Sequence, residues 1–196
     1  HEYNEVLSIC RNLAEKTPYA YLPEVAITFH NLEILHTDLH EHNLAEHEYN
    51  ESIAIYRNLA KETPDVFLPD VLRGLGSLAN LHADLHHYDL AEEEYDEALK
   101  GYRELLEKTH DKYMPELAGI LYNIALLHTE LNKYDKAKTE YNEVIMMYRS
   151  LANKNPKKFV QDVAISLDAL ASLHARTNHY DLAEWEYNEA ISIFRK

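Results

Sequence analysis

The chain has 196 residues, a formal net charge of −15 at pH 7, only four Gly and six Pro, and one Cys. The acidic balance argues against a nucleic-acid backbone or an anionic membrane as partner, because both carry negative charge themselves. One cysteine rules out an intrachain disulfide framework, and no apolar run approaches the roughly 20 residues of a membrane helix, so with no visible signal peptide we expect a cytoplasmic protein.

A four-residue segment, Glu-Tyr-Asn-Glu or Glu-Tyr-Asp-Glu, recurs along the whole chain. Its copies begin at residues 2, 48, 94, 140 and 186, so each starts 46 residues after the previous one. A fixed period of this length is typical of solenoids, in which each unit buries its apolar face against its neighbours. The period predicts a single array that begins with one helix at 1–18 and continues with four units at 19–64, 65–110, 111–156 and 157–196.

Two helices are predicted in each unit, here called helix A and helix B. In the second unit, helix A has apolar residues at spacings of three and four, from Val71 through Leu75 and Leu78 to Leu85. Helix B follows with a second such stripe at Ala91, Tyr95, Ala98, Tyr102 and Leu105. These spacings predict one apolar stripe on each helix, and the scarcity of Gly and Pro supports an all-α chain.

Helix boundaries are predicted from capping residues and prolines. An Asp or Asn before each helix B is expected to accept hydrogen bonds from free backbone N–H groups, at Asn43, Asp89, Asp135 and Asp181. Helix B is expected to end at the pairs Thr17-Pro18, Thr63-Pro64 and Asn155-Pro156, because proline disfavours helix in the residue before it. The next helix A is then expected to begin near Pro23, Pro69 and Pro115, where proline costs no hydrogen bond.

The spacing of these residues resembles the tetratricopeptide repeat (TPR) family, in which small and aromatic residues occupy fixed positions of a helical hairpin. The third unit matches with Ile124, Ala125, His128, Ala137, Tyr141 and Val144. The first unit departs from the pattern with Glu33 at the small position and Ser52 in place of a later Ala. The resemblance implies a right-handed α-solenoid, an α-α superhelix, and the long unit is similar to those of kinesin light chain-like and bacterial sensor arrays.

A histidine stands in every unit where this family usually has tyrosine: His36, His82, His128 and His174. Four imidazoles at one period suggest a metal site or a pH switch. Neighbouring helix A axes should lie about 10 Å apart, which is too far for successive histidines to share one zinc ion. We therefore predict that each histidine packs within its own hairpin, and no metal site or cofactor.

An arginine and a glutamate also recur at the same period, as Arg57 with Glu51 and Arg103 with Glu97. Ion pairs within or between units explain both series, and each exposed pair should contribute only about 0 to 1 kcal/mol. No nucleophile elbow, zincin motif or Gly-rich phosphate loop is present. The sequence therefore predicts a protein that is not an enzyme.

The resemblance implies a concave binding face made by one side of helix A. The positions concerned in the first two units are Ile27, His30, Ile34, Asp38, Arg73, Asn80 and Asp84. In the last two units they are Tyr122, Leu126, Glu130, Ile165, Asp168 and Arg176. These residues vary between units and combine apolar positions with an acidic row, which favours a protein or peptide ligand with apolar anchors and neutral-to-basic character.

The leading hypothesis is thus a non-catalytic protein- or peptide-binding scaffold or sensor module. An alternative is a structural element that self-associates by stacking through its ends, because apolar residues such as Ile191 and Phe194 stand in the last helix. Substitution of residues on the concave face should distinguish the two, since only the first hypothesis depends on that face.

Overall fold

A computed structural model of the protein describes residues 2–195, with the side chains of residues 2–4 and 110 outside the description. The described residues form nine α-helices, one 3-10 turn and no strand, so the predicted all-α class is confirmed. The helices are α1 Glu2–Lys16, α2 Pro18–Asp38, α3 His42–Glu62, α4 Pro64–Asp84, α5 Tyr88–Thr109, α6 Met114–Glu130, α7 Tyr134–Lys154, α8 Pro156–Arg176 and α9 Tyr180–Phe194. Even-numbered helices correspond to helix A and odd-numbered ones to helix B.

Helices α1 to α4 and α6 to α9 each pack against the next helix of their series, and α4 meets α5 through side-chain hydrogen bonds, in agreement with the predicted solenoid of tandem helical hairpins. We call α2–α3, α4–α5, α6–α7 and α8–α9 the first to fourth hairpins. Contacts divide the chain into two compact units, one ending at Gly101 and the other beginning at Tyr102, both within α5. The predicted repeat boundaries remain a prediction, and His1 of the predicted first segment lies outside the described residues.

Each compact unit has its own apolar core. In the first, Leu7 and Ala14 of α1 pack with Val25, Phe29 and Leu32 of α2. In the second, the core joins helices A and B of successive hairpins through Ala125, Ala137, Tyr141, Ile145, Val163, Ala164, Leu167, Leu170, Leu173 and Ala190. These are the positions at which the sequence repeats its apolar pattern, so the helix spacing dictates which faces meet.

Two of the helices A, α2 and α4, begin about one turn earlier than the prolines that were predicted to start them. α2, α4 and α8 begin at Pro18, Pro64 and Pro156. The first residues of a helix have no intrahelical partner for their N–H groups, so proline fits there without loss. Pro23 and Pro69 lie inside their helices, and the prediction that helix A starts at them is wrong. Only α6 begins beside its predicted proline, at Met114, after a 3-10 turn.

Each helix A is closed by one residue in the left-handed region, at His40, His86, Asn132 and Asn178, with φ between 57° and 63°. In the third hairpin, the N–H of Lys133 donates to the carbonyl of His128 at 2.8 Å, and that of Asn132 to Thr129 at 3.2 Å. This pair of bonds is a Schellman motif, and Asn and His tolerate its left-handed residue better than most.

The predicted N-caps of helix B are wrong. Asn43, Asp89, Asp135 and Asp181 are each the second residue of their helix. The capping positions that can be assigned belong to Glu41, Lys133 and His179, whose side chains make no capping bond. Directly after the Schellman motif, the chain enters helix B two residues sooner than the capping pattern suggested. The aspartate carboxylates instead lie in the first turn of the helix, where their negative charge interacts favourably with the helix dipole.

Candidate peptide-binding face

The repeated histidines bind carboxylates inside their own hairpins. Each Nδ1 lies within hydrogen-bond distance of a Glu twelve residues later, at 2.6 Å for His36–Glu48, 2.8 Å for His82–Glu94, 2.8 Å for His128–Glu140 and 2.7 Å for His174–Glu186. Burial raises the pKa of Glu94, and the bond to His82 works against that rise. The prediction that each histidine packs in its own hairpin is confirmed. The glutamate partner was missed, although both residues recur at a constant spacing.

The repeated arginines connect successive helices B. The guanidinium lies close to a Glu forty residues later, at 3.4 Å for Arg11–Glu51, 2.6 Å for Arg57–Glu97, 3.3 Å for Arg103–Glu143 and 2.6 Å for Arg149–Glu189. All of these pairs are well exposed, so each contributes about 0 to 1 kcal/mol. They belong to the scaffold, as predicted, and connect neighbouring repeats within each compact unit.

We define the A face as the thirteen helix A residues that the sequence singled out. In the first compact unit, Ile27 and Ile34 are 43% and 47% exposed on α2. Asp38 and Asp84 are exposed near the ends of their helices. Arg73 forms an ion pair with Asp70 at 2.6 Å within α4. The unit therefore presents apolar side chains beside charged ones, as predicted.

Three further contacts in this unit were not predicted. His30 Nδ1 is hydrogen-bonded to the buried carboxylate of Glu33 one turn later on α2. Arg73 lowers the pKa of Glu33, although burial, the largest effect, raises it. Asn80 accepts a hydrogen bond from the hydroxyl of Tyr95, so its side chain turns partly toward the core.

In the second compact unit, Leu126 of α6 and Ile165 of α8 are 42% and 46% exposed. Tyr122 is half-buried, and its ring meets that of Tyr141 edge-on at 5.9 Å between centroids. Burial raises the pKa of Tyr122, and nearby Asp168 raises it further. The structure thus brings the predicted residues of α6 and α8 into one neighbourhood.

The acidic row predicted for the A face is partly neutralised. Glu130 of α6 accepts from Arg176 of α8 at 3.3 Å, and both side chains are exposed. The Arg176 guanidinium also lies over the ring of Tyr134, 5.8 Å from its centroid. Arg176 thereby offsets the charge of Glu130, and Asp168 is the remaining acidic member of the A face in this unit.

Some of the variation on the A face serves the core. The hydroxyls of Tyr95 and Tyr187 bond to Asn80 and to Ser172, the latter at 2.9 Å. The first and third hairpins have apolar residues at those positions, and there the polar neighbours of Tyr49 and Tyr141 are Thr37 and Thr129, three residues further on. Each threonine lowers the pKa of its tyrosine against the larger raising effect of burial, although Thr37 Oγ1 makes no full hydrogen bond.

The positions of Asn80 and Ala83 and their equivalents therefore vary together, because a buried hydroxyl needs a partner. The sequence carries this signal: a polar residue appears at one of the two positions in every repeat, never at both. Variation at these positions is not evidence of ligand contact.

Within the part of the chain that the structure describes, no three His, Cys, Asp or Glu side chains form a group that could hold a metal ion. None of the described helices is long and apolar enough to cross a membrane. The exposed residues of the A face offer apolar contact at its isoleucines and leucine, and hydrogen bonding at its charged and imidazole groups.

Several solved structures share the fold. BtubC (BKLC) from P. vanneervenii matches with 14% identity and a TM-score of 0.62, over 99% of this chain and 89% of that chain. Aspartyl phosphate phosphatase F from Bacillus subtilis matches with 14% identity and a TM-score of 0.73, over 88% and 41%. The Rap conjugation gene regulator of the plasmid pLS20, in complex with the Phr* peptide, matches with 14% identity and a TM-score of 0.57, over 99% and 49%. The chain spans less than half the length of the last two, and such identities show the fold alone.

Two family profiles match the sequence. The profile described as tetratricopeptide repeat matches residues 118–151. The profile described as anaphase-promoting complex subunit 5 matches residues 14–66, 74–115 and 152–196, together more than two thirds of the chain. No curated protein sequence matches it. The chain belongs to the tetratricopeptide repeat family, in the variety that the anaphase-promoting complex subunit 5 profile describes.

Proposed function

We propose that the protein is a non-catalytic binding scaffold whose A face receives a peptide segment of a partner protein. The observation that carries this proposal is the exposure of large apolar A-face side chains on three of the four helices A, namely α2, α6 and α8. Ile27, Ile34, Leu126 and Ile165 each leave 42% to 47% of their surface open. Exposed apolar side chains beside charged ones on helix A suit a ligand that supplies apolar side chains of its own.

Charge supports a neutral or basic ligand. The whole chain carries −15, and the A face itself includes Asp38, Asp84 and Asp168. An acidic peptide would be repelled, whereas lysine or arginine side chains would find carboxylates beside the apolar positions. The pLS20 regulator, which shares the fold, has been solved with a peptide bound, and we extend that mode of binding to this chain as part of the proposal. The cytoplasmic location predicted from the sequence is the setting that we propose.

A direct test selects ligands from a random peptide library displayed on phage, with the whole protein immobilised. Enriched peptides are then synthesised with a fluorescent label and titrated by anisotropy against wild type and variants. Ile27→Asp in the first compact unit and Leu126→Asp in the second remove one exposed apolar contact each. We expect either variant to weaken binding of a peptide that covers its unit, by roughly tenfold or more, because a charge then faces the apolar anchor.

The matched control is Met146→Asp. Met146 lies on α7, a helix B, and is 72% exposed, so the substitution adds the same charge away from the A face. Binding should be unchanged by it, and circular dichroism should show the same helix content in all variants. Failure to enrich any peptide, or equal loss of affinity with Met146→Asp, would contradict the proposal.

A second candidate function is self-association through the outer helices. On α1, Val6 and Ile9 are exposed, and on α9, Ile191 and Phe194 are exposed, so each helix has an apolar side without a partner among the described residues. We propose this stacking as the alternative role. Sedimentation equilibrium of wild type against an Ile9→Asp and Phe194→Asp double variant tests it. A wild-type monomer at all concentrations would rule it out.

A further inference from the structure

Glu33 occupies a position where its size and charge are not needed for packing. Its side chain is on α2 and only 1% of the residue is exposed. The same position in the other three hairpins holds Ala79, Ala125 and Ala171, all fully buried. Burying a carboxylate is costly unless it is paired, and alanine fills the site without that cost. The carboxylate therefore needs an explanation other than the fold.

The hydrogen-bond partner of Glu33 is a residue of the A face. Its Oε1 is bonded to Nδ1 of His30, whose side chain is 35% exposed. His30 lies three residues after Ile27 and four before Ile34, so the three side chains share one side of α2. The imidazole thus stands between the two exposed isoleucines of the proposed binding face.

Charged groups from the neighbouring helices also act on Glu33. Glu48 on α3 raises its pKa, and Arg73 on α4 lowers it, while desolvation is the largest effect and raises it. In turn Glu33 raises the pKa of Tyr49 on α3. An ionisable group with a pKa shifted by burial and a specific partner at a surface is a frequent mark of a functional site.

The Glu33–His30 bond fixes the chemistry of the imidazole. An ionised carboxylate accepts a hydrogen bond from Nδ1–H, and in the neutral ring Nε2 then carries the lone pair. The described residues supply no hydrogen bond to that nitrogen, and the ring is open to solvent on the A face. A carboxylate behind a histidine orients the ring and makes its outer nitrogen a better acceptor.

We propose that His30 is a ligand-binding residue of the A face, whose Nε2 accepts a hydrogen bond from an N–H group of the bound peptide, with Glu33 as the positioning residue. This inference rests on the proposed function. The donor is either a backbone amide or a basic side chain, and apolar side chains next to it contact Ile27 and Ile34. Protonation of His30 turns Nε2 into a donor and abolishes the contact.

The proposal predicts opposite effects of one substitution on folding and on binding. Glu33→Ala restores the residue of the other hairpins, so we expect a higher melting temperature. It also releases the ring of His30, so we expect weaker binding of a selected peptide, by roughly three- to tenfold for one lost hydrogen bond. His30→Ala should weaken binding by a similar factor. Glu33→Gln, whose amide oxygen can still accept from Nδ1–H, should recover most of the affinity.

The probes are the fluorescent peptides selected above that lose affinity on Ile27→Asp, titrated between about pH 5 and pH 8. A fall in the affinity of wild type toward the acid end that comes from protonation of the His30 imidazole should be absent in His30→Ala. Peptides with a lysine replaced by norleucine, or with one backbone amide methylated, identify the donor. Two-bond nitrogen–proton NMR spectra of the imidazole report whether the free protein holds the proton on Nδ1.

The outcomes separate this inference from the function on which it rests. If no selected peptide responds to Ile27→Asp or Leu126→Asp, the proposed function fails. If Ile27→Asp abolishes binding but His30→Ala and Glu33→Ala do not weaken it, the role of His30 is overturned while the scaffold function stands. A fall in melting temperature on Glu33→Ala with unchanged affinity identifies the pair as structural, which also overturns the inference.

Discussion

In the second hairpin Leu72 of α4 lies against Gly101 of α5, whereas the third hairpin has Ala118 and Met147 at these two positions. The hydroxyl partner of the buried tyrosine differs in the same way. The second hairpin uses Asn80 and has Ala83 three residues later, and the third has Leu126 followed by Thr129. In each of the two comparisons, the larger or polar residue is at one position of the pair in the second hairpin and at the other position in the third.

These exchanges show that differences between repeats need not reflect differences in ligand. A side chain gained on one helix is compensated by one lost on its neighbour, so each hairpin keeps a similar packed volume and a polar neighbour for its buried tyrosine. At the positions of Leu72 and Gly101, the first and fourth hairpins resemble the third, with a small residue on helix A and a large one on helix B. The residues are Ala26 and Ile55 in the first hairpin, and Ala164 and Ile193 in the fourth. A position on the A face indicates binding only where no such partner accounts for it, as at Ile27 or Ile165.

The largest expected effect concerns the tyrosine common to both hairpins. Burial raises the pKa of Tyr141 to about 12 and also raises that of Tyr95. An unfolded tyrosine ionises near pH 10, so the contribution of Tyr141 to stability is intact below pH 10 and is lost as pH rises through about 12. That difference corresponds to roughly 3 kcal/mol. In an alkaline titration, helix content should therefore fall together with the part of the tyrosinate absorbance that appears after exposed tyrosines such as Tyr19 have ionised.

Tyr141→Phe removes this ionisation and should move the alkaline midpoint of unfolding upward. Tyr19→Phe is the control, because Tyr19 is exposed and should leave the midpoint in place. If tyrosinate from Tyr141 appears near pH 10 while helix content is unchanged, its hydroxyl is accessible in the folded protein and the prediction is wrong.

The volume exchange predicts a strong coupling between two substitutions. A Cβ at Gly101 would lie 2.3 Å from Leu72 Cδ2, so Gly101→Ile overpacks the second hairpin and should cost about 1–3 kcal/mol. Leu72→Ala alone leaves a cavity and should cost about 2–5 kcal/mol. The double variant has the same two residue types as the first and fourth hairpins. Its loss of unfolding free energy should therefore be far smaller than the sum of the losses of the two single variants.

Urea unfolding of the two single variants, the double variant and wild type measures this coupling. Ala118→Leu with Met147→Gly makes the reverse exchange in the third hairpin and serves as the matched comparison. If the losses of unfolding free energy in the second hairpin are additive, Leu72 and Gly101 do not compensate each other and the predicted coupling is wrong.

The hydroxyl exchange predicts a smaller effect. Asn80→Leu removes the acceptor of the Tyr95 hydroxyl, and a buried hydroxyl without a partner should cost about 1–2 kcal/mol. Adding Ala83→Thr supplies the partner used in the third hairpin and should recover most of that loss. Thermal unfolding of both variants, with Ala83→Thr alone as control, measures the recovery. A double variant no more stable than Asn80→Leu would contradict the exchange.

Most of the fold was predictable from the sequence because the same spacing of apolar residues occurs in every repeat. The 46-residue period and the apolar spacing predicted the two helices of each hairpin and the all-α array. The boundaries were less predictable, since proline suits either the first turn or a tolerated interior position. The packing of the whole hairpin determines that α4 begins at Pro64 and not at Pro69.

The candidate face was predictable in outline only. The exposure of Ile34 and Leu126 follows from their place on helix A, which the resemblance identified. The bond between His30 and Glu33 was not predicted, because the glutamate at a small-residue position was treated only as a departure from the repeat pattern. Contacts such as the ion pair between Glu130 and Arg176 depend on which helices meet, and a single helix pattern does not contain that information.

The smallest effect tests the loop that ends helix A in the two hairpins. His86 has φ of 60°, and the third hairpin has Asn132 at the same place with φ of 57°. His86 Nδ1 lies 2.6 Å from the hydroxyl of Tyr88, as Asn132 Oδ1 accepts from Tyr134. Asparagine tolerates the left-handed conformation better and keeps an acceptor, so His86→Asn should raise stability by up to about 0.5 kcal/mol.

His86→Ala provides the contrast that makes this small gain interpretable. It keeps the Cβ that disfavours a positive φ and removes the acceptor for Tyr88, so it should lower stability by about 1 kcal/mol. Differential scanning calorimetry of both variants measures the two shifts under the same conditions. If alanine and asparagine give equal melting temperatures, the side chain at this loop position has no role of its own. The pairing with the following tyrosine would then not explain why the second, third and fourth hairpins have His or Asn at this loop position.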